Sequence, residues 1–284
     1  MTNLITPNLS YDVYRTFPGT NISMLKEIGH SPMHYQYRLN NPKQTTALRL
    51  GTAAHKAVLE PDKFLSDYAI WDRVTDGGNT APRRGQWWDA FCAENADKEI
   101  LSFDEHLAAK DIAKSVRGCP EAMRYLAKGY PEVVMQWDLN GRQCKGRVDW
   151  LCKVDDRPVL VGLKTARDCR QFEFGKQAAS LGYHLQWAWY FDGYSTIKNG
   201  IIPRVVEIVV ESGDVPAVVV YEITVETLDQ GRKEYQELLV KLAECEASGK
   251  WAGPYEGEQV LMLPSWAYDE SDVAIDVEEE NDNG

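Results

Sequence analysis

The chain carries Gly146-Arg-Val-Asp-Trp-Leu151 and, shortly after it, Pro158-Val-Leu-Val-Gly-Leu-Lys-Thr165. Both stretches have the apolar content of β-strands, and the polar segment Val154-Asp-Asp-Arg157 between them predicts a turn. The first strand carries Asp149 and the second ends at Lys164. We therefore expect the carboxylate and the ammonium to lie beside each other across a β-hairpin.

Each of these two residues has an ordinary structural explanation when taken singly. Asp149 could lie on the solvated face of a sheet, and Lys164 could extend its ammonium to solvent from a buried strand. Together they suit metal-assisted chemistry on phosphate. A carboxylate binds a divalent cation, while a nearby lysine orients the attacking water and stabilises the charge that develops on phosphate.

Two helical segments add further polar candidates. His55 lies in an alanine-rich segment, and a lone helical histidine is more often a structural residue than a ligand. Gln186 and Tyr190 are four residues apart in a helix expected over about 172–190, so they share a face. Aromatic-rich helices usually belong to the core, but a glutamine among aromatic residues needs a hydrogen-bond partner, which favours a structured site.

The order of elements predicts an α/β fold, with a mixed central β-sheet flanked by helices and a helical N-terminal part. We expect one domain over residues 1–267, in which a helical region covers about 1–128 and the core about 129–250. Residues 268–284 are expected to form a disordered acidic tail.

Charge and cysteine content restrict the class of protein further. The net charge is −12, but eight acidic residues lie between Asp269 and Gly284, so the rest carries only about −4 and allows a local basic groove. The six cysteines form no C-x-x-C pair, which favours reduced thiols and predicts no iron–sulfur cluster. No apolar run has membrane-spanning length and no signal peptide is recognisable, so we expect a cytoplasmic protein.

Several motifs extend this pattern along the chain from Ile22 to about Trp266. They are Ser31-Pro-Met-His-Tyr35, Gly51-Thr-Ala-Ala-His-Lys-Ala-Val-Leu-Glu60, Tyr130-Pro-Glu132, Cys144-Lys-Gly-Arg-Val-Asp149, Leu163-Lys-Thr165, Gly182-Tyr-His-Leu-Gln186 with Tyr190, and Leu263-Pro-Ser-Trp-Ala267. In order and spacing the chain resembles the PD-(D/E)XK nuclease superfamily, and within it the exodeoxyribonuclease VIII type of phages and prophages.

The resemblance implies a restriction-endonuclease-like core and a role for each matching residue. His55 and Asp149 would bind Mg²⁺, or Mn²⁺ as its substitute, together with the backbone carbonyl of Leu163. Lys164 would act on the nucleophilic water, and Glu132 would reach the metal or its water shell. Gln186 and Tyr190 would position the site or the DNA end.

The same resemblance implies a 5′→3′ exodeoxyribonuclease that degrades linear double-stranded DNA in phage-type recombination, in the cytoplasm of a bacterial host. It further implies a ring-shaped homo-oligomer, with a single-strand annealing protein as partner. Phosphate contacts require cations near the catalytic strands, and the candidates are Lys145, Arg147, Arg167 and Arg170.

One position departs from the pattern. Gly162 lies two residues before Lys164, where the family has a metal-binding Asp or Glu. Another carboxylate could substitute, with Glu132, Asp168 and Glu173 as candidates. The strand register could be shifted by one residue. Alternatively, the chain is a catalytically impaired DNA-binding protein on a nuclease scaffold, or an inhibitor that uses its acidic tail as a DNA decoy.

Overall fold

A computed structural model describes residues 3–41, 46–75, 78 and 80–264, and the side chains of residues 46–48 fall outside that description. The tail that we expect at 268–284 lies outside the described residues. The described part has a central sheet between two layers of helices, with a small second sheet at one side. The predicted α/β fold with a mixed sheet flanked by helices is confirmed.

The strands are β1 (Leu4–Thr6), β2 (Thr20–Asn21), β3 (Tyr68–Trp71), β4 (Glu99–Ser102), β5 (Gly129–Leu139), β6 (Arg142–Val154), β7 (Arg157–Ala166), β8 (Arg204–Glu211) and β9 (Val218–Glu222).

The helices are α1 (Tyr11–Thr16), α2 (Ile22–His30), α3 (Pro32–Asn40), α4 (Thr46–Leu59), α5 (Pro61–Asp67), α6 (Gln86–Glu94), α7 (Phe103–Gly118), α8 (Pro120–Leu126), α9 (Gln171–Leu181), α10 (Tyr183–Ile197) and α11 (Val225–Ser248).

The central sheet has the strand order β1-β5-β6-β7-β8-β9, and β2 pairs with β6. β5, β6 and β7 form an antiparallel meander, whereas β7 and β8 are parallel. A parallel pair requires a long crossover, and α9 and α10 provide it. β6 pairs with β7 only from Trp150 to Val154, so the two strands diverge at Asp149 and leave a gap between them.

Apolar side chains fill both faces of the sheet. Leu160 of β7 belongs to a core shared with α2, α9, α10 and α11. Its neighbours Val159 and Val161 belong to a second core, shared with α4, α5, α7 and α8. Because helices cover both faces, the central strands are continuous apolar runs rather than alternating ones.

The helix predicted over about 172–190 is wrong in its continuity, because the structure divides it at Gly182 into α9 and α10. Gly182 has a φ of 62°, a left-handed conformation that favours glycine and ends a helix. The break allows α10 to turn back across the sheet. No helix among the described residues is both long and apolar enough to cross a bilayer.

Candidate active site

Asp149 and Lys164 meet where β6 and β7 diverge. The Nζ atom of Lys164 lies 3.7 Å from Oδ2 of Asp149, which is an ion-pair distance. The same carboxylate oxygen accepts a hydrogen bond of 2.9 Å from the backbone N–H of Leu163. Asp149 therefore bridges the gap between the strands and is fixed by the backbone next to Lys164.

His55 reaches this pair from α4. Its Nδ1 atom lies 3.8 Å from Oδ2 of Asp149, so the three residues predicted from sequence share one cleft. The small side chains of Ala53, Ala54 and Ala57 are almost fully buried and let the helix lie close to the sheet. Burial lowers the pKa of His55, although the Asp149 carboxylate opposes this shift. The neutral imidazole that results is the form that binds metals.

The cleft is partly accessible to solvent. The side chains of His55, Asp149 and Lys164 are 24%, 19% and 15% exposed. Groups at this level of exposure are held in place and can still be reached by a small ion or a phosphate. The cleft also contains Gln186 and Tyr190 of α10.

Gln186 and Tyr190 form a pair within the cleft, because Nε2 of Gln186 donates a 3.0 Å hydrogen bond to the hydroxyl of Tyr190. Burial, followed by the negative charge of Asp149, raises the pKa of Tyr190. The tyrosine therefore remains a neutral hydrogen-bonding group. The structure brings both residues into the cleft, and their positioning role stays a prediction.

Glu207 of β8 is a carboxylate that our sequence analysis missed. It pairs in register with Gly162, so the two residues lie side by side on the same face of the sheet. Glu207 is completely buried, its Oε1 atom lies 3.6 Å from Nζ of Lys164, and Trp187 donates a hydrogen bond to its Oε2. Burial raises the pKa of Glu207 even though Lys164 acts in the opposite direction.

Glu132 occupies a strained position in β5. Its φ is 51°, which is unusual for a large side chain, and the register on either side places it opposite Asp149. Its Oε2 atom lies 2.8 Å from Nε of Arg147. Burial is the largest influence on Glu132 and raises its pKa. The residue lies beside the cleft, and its carboxylate is engaged by arginine.

The predicted phosphate-binding cations lie in different environments. Lys145 is 6% exposed, and its ammonium donates to the carbonyls of Tyr14, Arg15 and Phe17. The structure therefore places this lysine inside the protein rather than on a DNA-facing surface. Its burial follows from α1, which covers the β6 position that strand alternation alone would leave open.

The arginine candidates remain closer to the surface. The Arg147 guanidinium is held between Glu132 and the ring of Tyr11. Arg167 and Arg170 are exposed just beyond the end of β7, and Arg170 forms an ion pair with Asp168. These last two arginines are the predicted cations that solvent, and hence a DNA strand, can reach directly.

Two of the acids considered as substitutes for position 162 have partners of their own. Asp168 binds Arg170 through several hydrogen bonds. Glu173 lies on the surface of α9 and pairs with Lys176. Their carboxylates are thus committed to surface ion pairs.

The donors in the cleft fit a hard divalent cation. Asp149, Glu207 and the carbonyl of Leu163 offer oxygen atoms, and His55 offers a nitrogen. The Oε1 atom of Glu207 is buried, and the cationic group it faces is the Lys164 ammonium at 3.6 Å. No three acidic, histidine or cysteine side chains within the described ranges already form a metal cage. Instead, the Lys164 ammonium separates the two carboxylates.

A larger groove lies away from these residues, between the β5–β6 turn and α11. Its lining includes Tyr35, Asn140, Arg142 and Gln236. None of the residues assigned to the cleft contributes to this lining. Size alone therefore does not identify the candidate site, and the convergence of titratable groups favours the cleft at Asp149 and Lys164.

Comparison with protein families gives a match over residues 21–261 to the model described as a PDDEXK-like domain of unknown function, DUF3799. No curated protein sequence matches the chain.

One solved structure supports the same fold, and two others are similar only at low scores. The structure of a "Putative exonuclease" from Eubacterium rectale matches with a TM-score of 0.60 and 15% identity, over 90% of this chain and 96% of that one. SSO0001 shares 12% identity over 76% of this chain and 84% of its own, with a TM-score of 0.28. Protein VC1899 from Vibrio cholerae shares 9% identity over 80% and 57%, with a TM-score of 0.23. The last two scores are too low to establish a common fold.

Proposed function

Because the chain belongs to the DUF3799 family of PDDEXK-like domains, we propose that it is a metal-dependent exodeoxyribonuclease that degrades linear double-stranded DNA. The observation that carries this proposal is the convergence of His55, Asp149 and Lys164 in one partly exposed cleft. The three residues lie on α4, β6 and β7. Together they place two possible cation ligands, His55 and Asp149, beside the positive charge of Lys164.

The metal would be Mg²⁺, with Mn²⁺ as substitute, held by Asp149, His55 and the carbonyl of Leu163. When bound, such an ion supplies Lewis-acid charge at the scissile phosphate and a water of lowered pKa. The chain's own residues then have to position that chemistry. Asp149 is suited to this task because the Leu163 N–H fixes its carboxylate.

Lys164 acts as a cation in this mechanism. Burial disfavours its charge, but the carboxylates of Glu207 and Asp149 outweigh burial and raise the pKa of Lys164 above its ordinary value. A lysine that remains protonated cannot accept the proton of the attacking water. Its ammonium instead orients that water and offsets the negative charge that develops on phosphate.

The remaining groups would hold the DNA. Gln186 and Tyr190 present a paired amide and hydroxyl to the cleft, which suits the positioning of a strand end. Arg167 and Arg170 lie exposed beyond β7, where they could bind backbone phosphates. The sequence shows neither helix-turn-helix nor zinc-finger spacing, which favours DNA binding without sequence preference.

The direction of digestion and the biological setting derive from the resemblance to exodeoxyribonuclease VIII. On that basis the enzyme works 5′→3′ in phage-type recombination within the bacterial cytoplasm, supplies a single-strand annealing protein with its substrate, and encloses DNA as a ring-shaped homo-oligomer. Light scattering of the full chain at micromolar concentration would test the ring, because a monomeric mass excludes it.

Digestion of a linear duplex labelled at either the 5′ or the 3′ end tests the proposed activity. We expect loss of label with Mg²⁺ or Mn²⁺ and none with a chelator. Asp149→Asn and Lys164→Met should each lower the rate by about 100-fold or more. The matched controls are Glu173→Gln and Lys176→Met, which change the acid and the lysine of one surface ion pair.

The two label positions also give polarity, since early release of the 5′ label indicates 5′→3′ digestion. A wild-type chain that binds duplex ends but digests none with either metal would contradict the proposal. That result would favour the alternative suggested by Gly162, a nuclease-fold protein that binds DNA without cutting it.

A further inference from the structure

The carboxylate of Glu207 occupies the space where a side chain at position 162 would lie. A β-carbon built on Gly162 would be 2.4 and 2.5 Å from the carboxylate oxygens of Glu207 and 2.7 Å from its Cδ. These distances are far below van der Waals contact. A side chain at 162 and the observed position of Glu207 are therefore mutually exclusive.

Strand pairing explains this overlap. β7 and β8 are parallel, and Gly162 pairs with Glu207 just as Lys164 pairs with Val209. Paired residues of neighbouring strands point to the same face, so a long side chain on β8 can reach across to a position that glycine leaves empty on β7. The Glu207 carboxylate thereby arrives 3.6 Å from Lys164.

A buried carboxylate in an apolar strand is costly unless its oxygens are used. Trp187 satisfies Oε2, whereas Oε1 has no hydrogen-bond partner among the described residues. Glu207 also shares the Lys164 ammonium with Asp149. Oε1 therefore faces the positive charge of Lys164 and not a neutral donor, which places this oxygen where the cleft already stabilises a cation.

We propose that Glu207 is the acidic metal ligand that position 162 lacks, transferred from β7 to the neighbouring strand β8. The inference rests on the proposed nuclease function and deepens it, because it makes the cation site complete. Its ligands would be Asp149, Glu207, His55 and the carbonyl of Leu163. In this arrangement Gly162 is required, because it leaves room for the Glu207 carboxylate. It does not mean that the site lacks an acidic ligand.

This assignment also explains why the other acids are poorer candidates. Glu132 lies 2.8 Å from Arg147, and Asp168 and Glu173 form surface ion pairs. Among the acids we weighed, Glu207 is the one whose carboxylate lies against Gly162.

Direct measurement of Mn²⁺ binding by calorimetry tests the proposal without relying on activity. We expect the Glu207→Gln variant to bind Mn²⁺ at least about tenfold more weakly than wild type, and to digest DNA about 100-fold more slowly. Glu173→Gln is the matched control and should leave both quantities within about twofold. Thermal unfolding in chelator verifies that each variant is folded.

Exchanging the two positions gives a second, independent test. Gly162→Asp alone should impair Mn²⁺ binding and digestion, because the new side chain collides with Glu207 and places two carboxylates together. The double variant Gly162→Asp/Glu207→Ala removes the collision and returns the acid to β7. We expect it to recover Mn²⁺ binding to within about tenfold of wild type. The double variant therefore tests the ligand assignment even if Glu207→Gln fails to fold.

The outcomes separate this inference from the proposed function. If the wild-type chain digests DNA and Glu207→Gln binds Mn²⁺ as tightly as wild type, the role of Glu207 is overturned and the nuclease proposal stands. Mn²⁺ binding that depends on Glu207 but supports no digestion would uphold the ligand assignment and refute the nuclease. A wild-type chain that binds no Mn²⁺ would overturn the ligand assignment itself.

Discussion

Gly146 lies against the ring of Tyr190 so closely that a β-carbon at position 146 would be 2.7 Å from Cε1 of the tyrosine. At Gly146, β6 thus contacts α10 through its backbone, with no side chain between them. This contact sets the position of the tyrosine hydroxyl relative to the cleft.

We therefore predict that Gly146→Ala lowers the free energy of unfolding by about 1–3 kcal/mol, because the added methyl overpacks a contact with little room to relax. Digestion should slow as well, since Tyr190 is displaced. Denaturant unfolding and single-turnover digestion measure the two effects.

Gly175 in α9 provides the matched control. A β-carbon there would meet no atom within 4 Å. Gly175→Ala should stabilise the helix slightly, by up to about 1 kcal/mol, and leave digestion unchanged. Equal destabilisation by both substitutions would show that the contact with Tyr190 is not the cause.

Lys145 provides a second prediction, because its buried ammonium satisfies three backbone carbonyls near α1. Lys145→Met should lower the free energy of unfolding by about 2–3 kcal/mol, since those carbonyls lose a charged donor. Lys114→Met, at an exposed position on α7, should have almost no effect. Urea denaturation compares the two variants.

The salt dependence of DNA binding separates this structural role from phosphate binding. Lys145→Met should leave the slope of log affinity against log salt unchanged. Replacement of the exposed Arg167 by Gln should reduce that slope by about one if the arginine contacts a phosphate. A reduced slope for Lys145→Met would instead show that this lysine contacts a DNA phosphate.

The sequence could place Asp149 beside Lys164 because a short hairpin fixes which residues of two strands face each other. His55 is different, because an alanine-rich helix must pack closely but its sequence does not say where it docks. The resemblance to the nuclease superfamily, and not a local pattern, brought His55 into the predicted site. The fold class followed from local patterns.

Glu207 could not be placed in the same way. It lies 45 residues after Gly162, across two helices, and only the register between β7 and β8 joins them. One local signal was present: a single charged residue interrupts the apolar run Val205-Val-Glu-Ile-Val-Val210. A charge in a strand covered on both faces indicates either a buried ion pair or a ligand.

Acid stability provides a third prediction, through Glu105 at the start of α7. Burial opposes its ionisation, but hydrogen bonds from the Ser102 N–H and from Arg83 lower the pKa of Glu105 below its ordinary value. The stabilisation is therefore present above the unfolded-state pKa and is lost as the pH falls through the lower folded-state pKa.

Glu105→Gln should accordingly cost about 1 kcal/mol of unfolding free energy at pH 7. The cost should be smaller near pH 3, which lies below the unfolded-state pKa of about 4.3, so that part of the stabilisation has been lost. Urea unfolding at both pH values gives the two differences. Glu94→Gln, at an exposed position on α6, is the control and should show no such trend. A cost that stays constant with pH would contradict this assignment.

Lys164 lies 3.7 Å from Asp149 and 3.6 Å from Glu207, so its ammonium holds the carboxylates that the metal would share. If its role is to orient water and offset charge on phosphate, Lys164→Met should slow digestion by about 100-fold or more. The same variant should bind Mn²⁺ as tightly as wild type or more tightly, because a competing cation has been removed. Calorimetry measures the Mn²⁺ affinity and a digestion assay measures the rate, both on one preparation of each variant. Lys176→Met is the control and should change neither quantity. Parallel loss of Mn²⁺ binding and digestion would instead mean that the lysine builds the metal site.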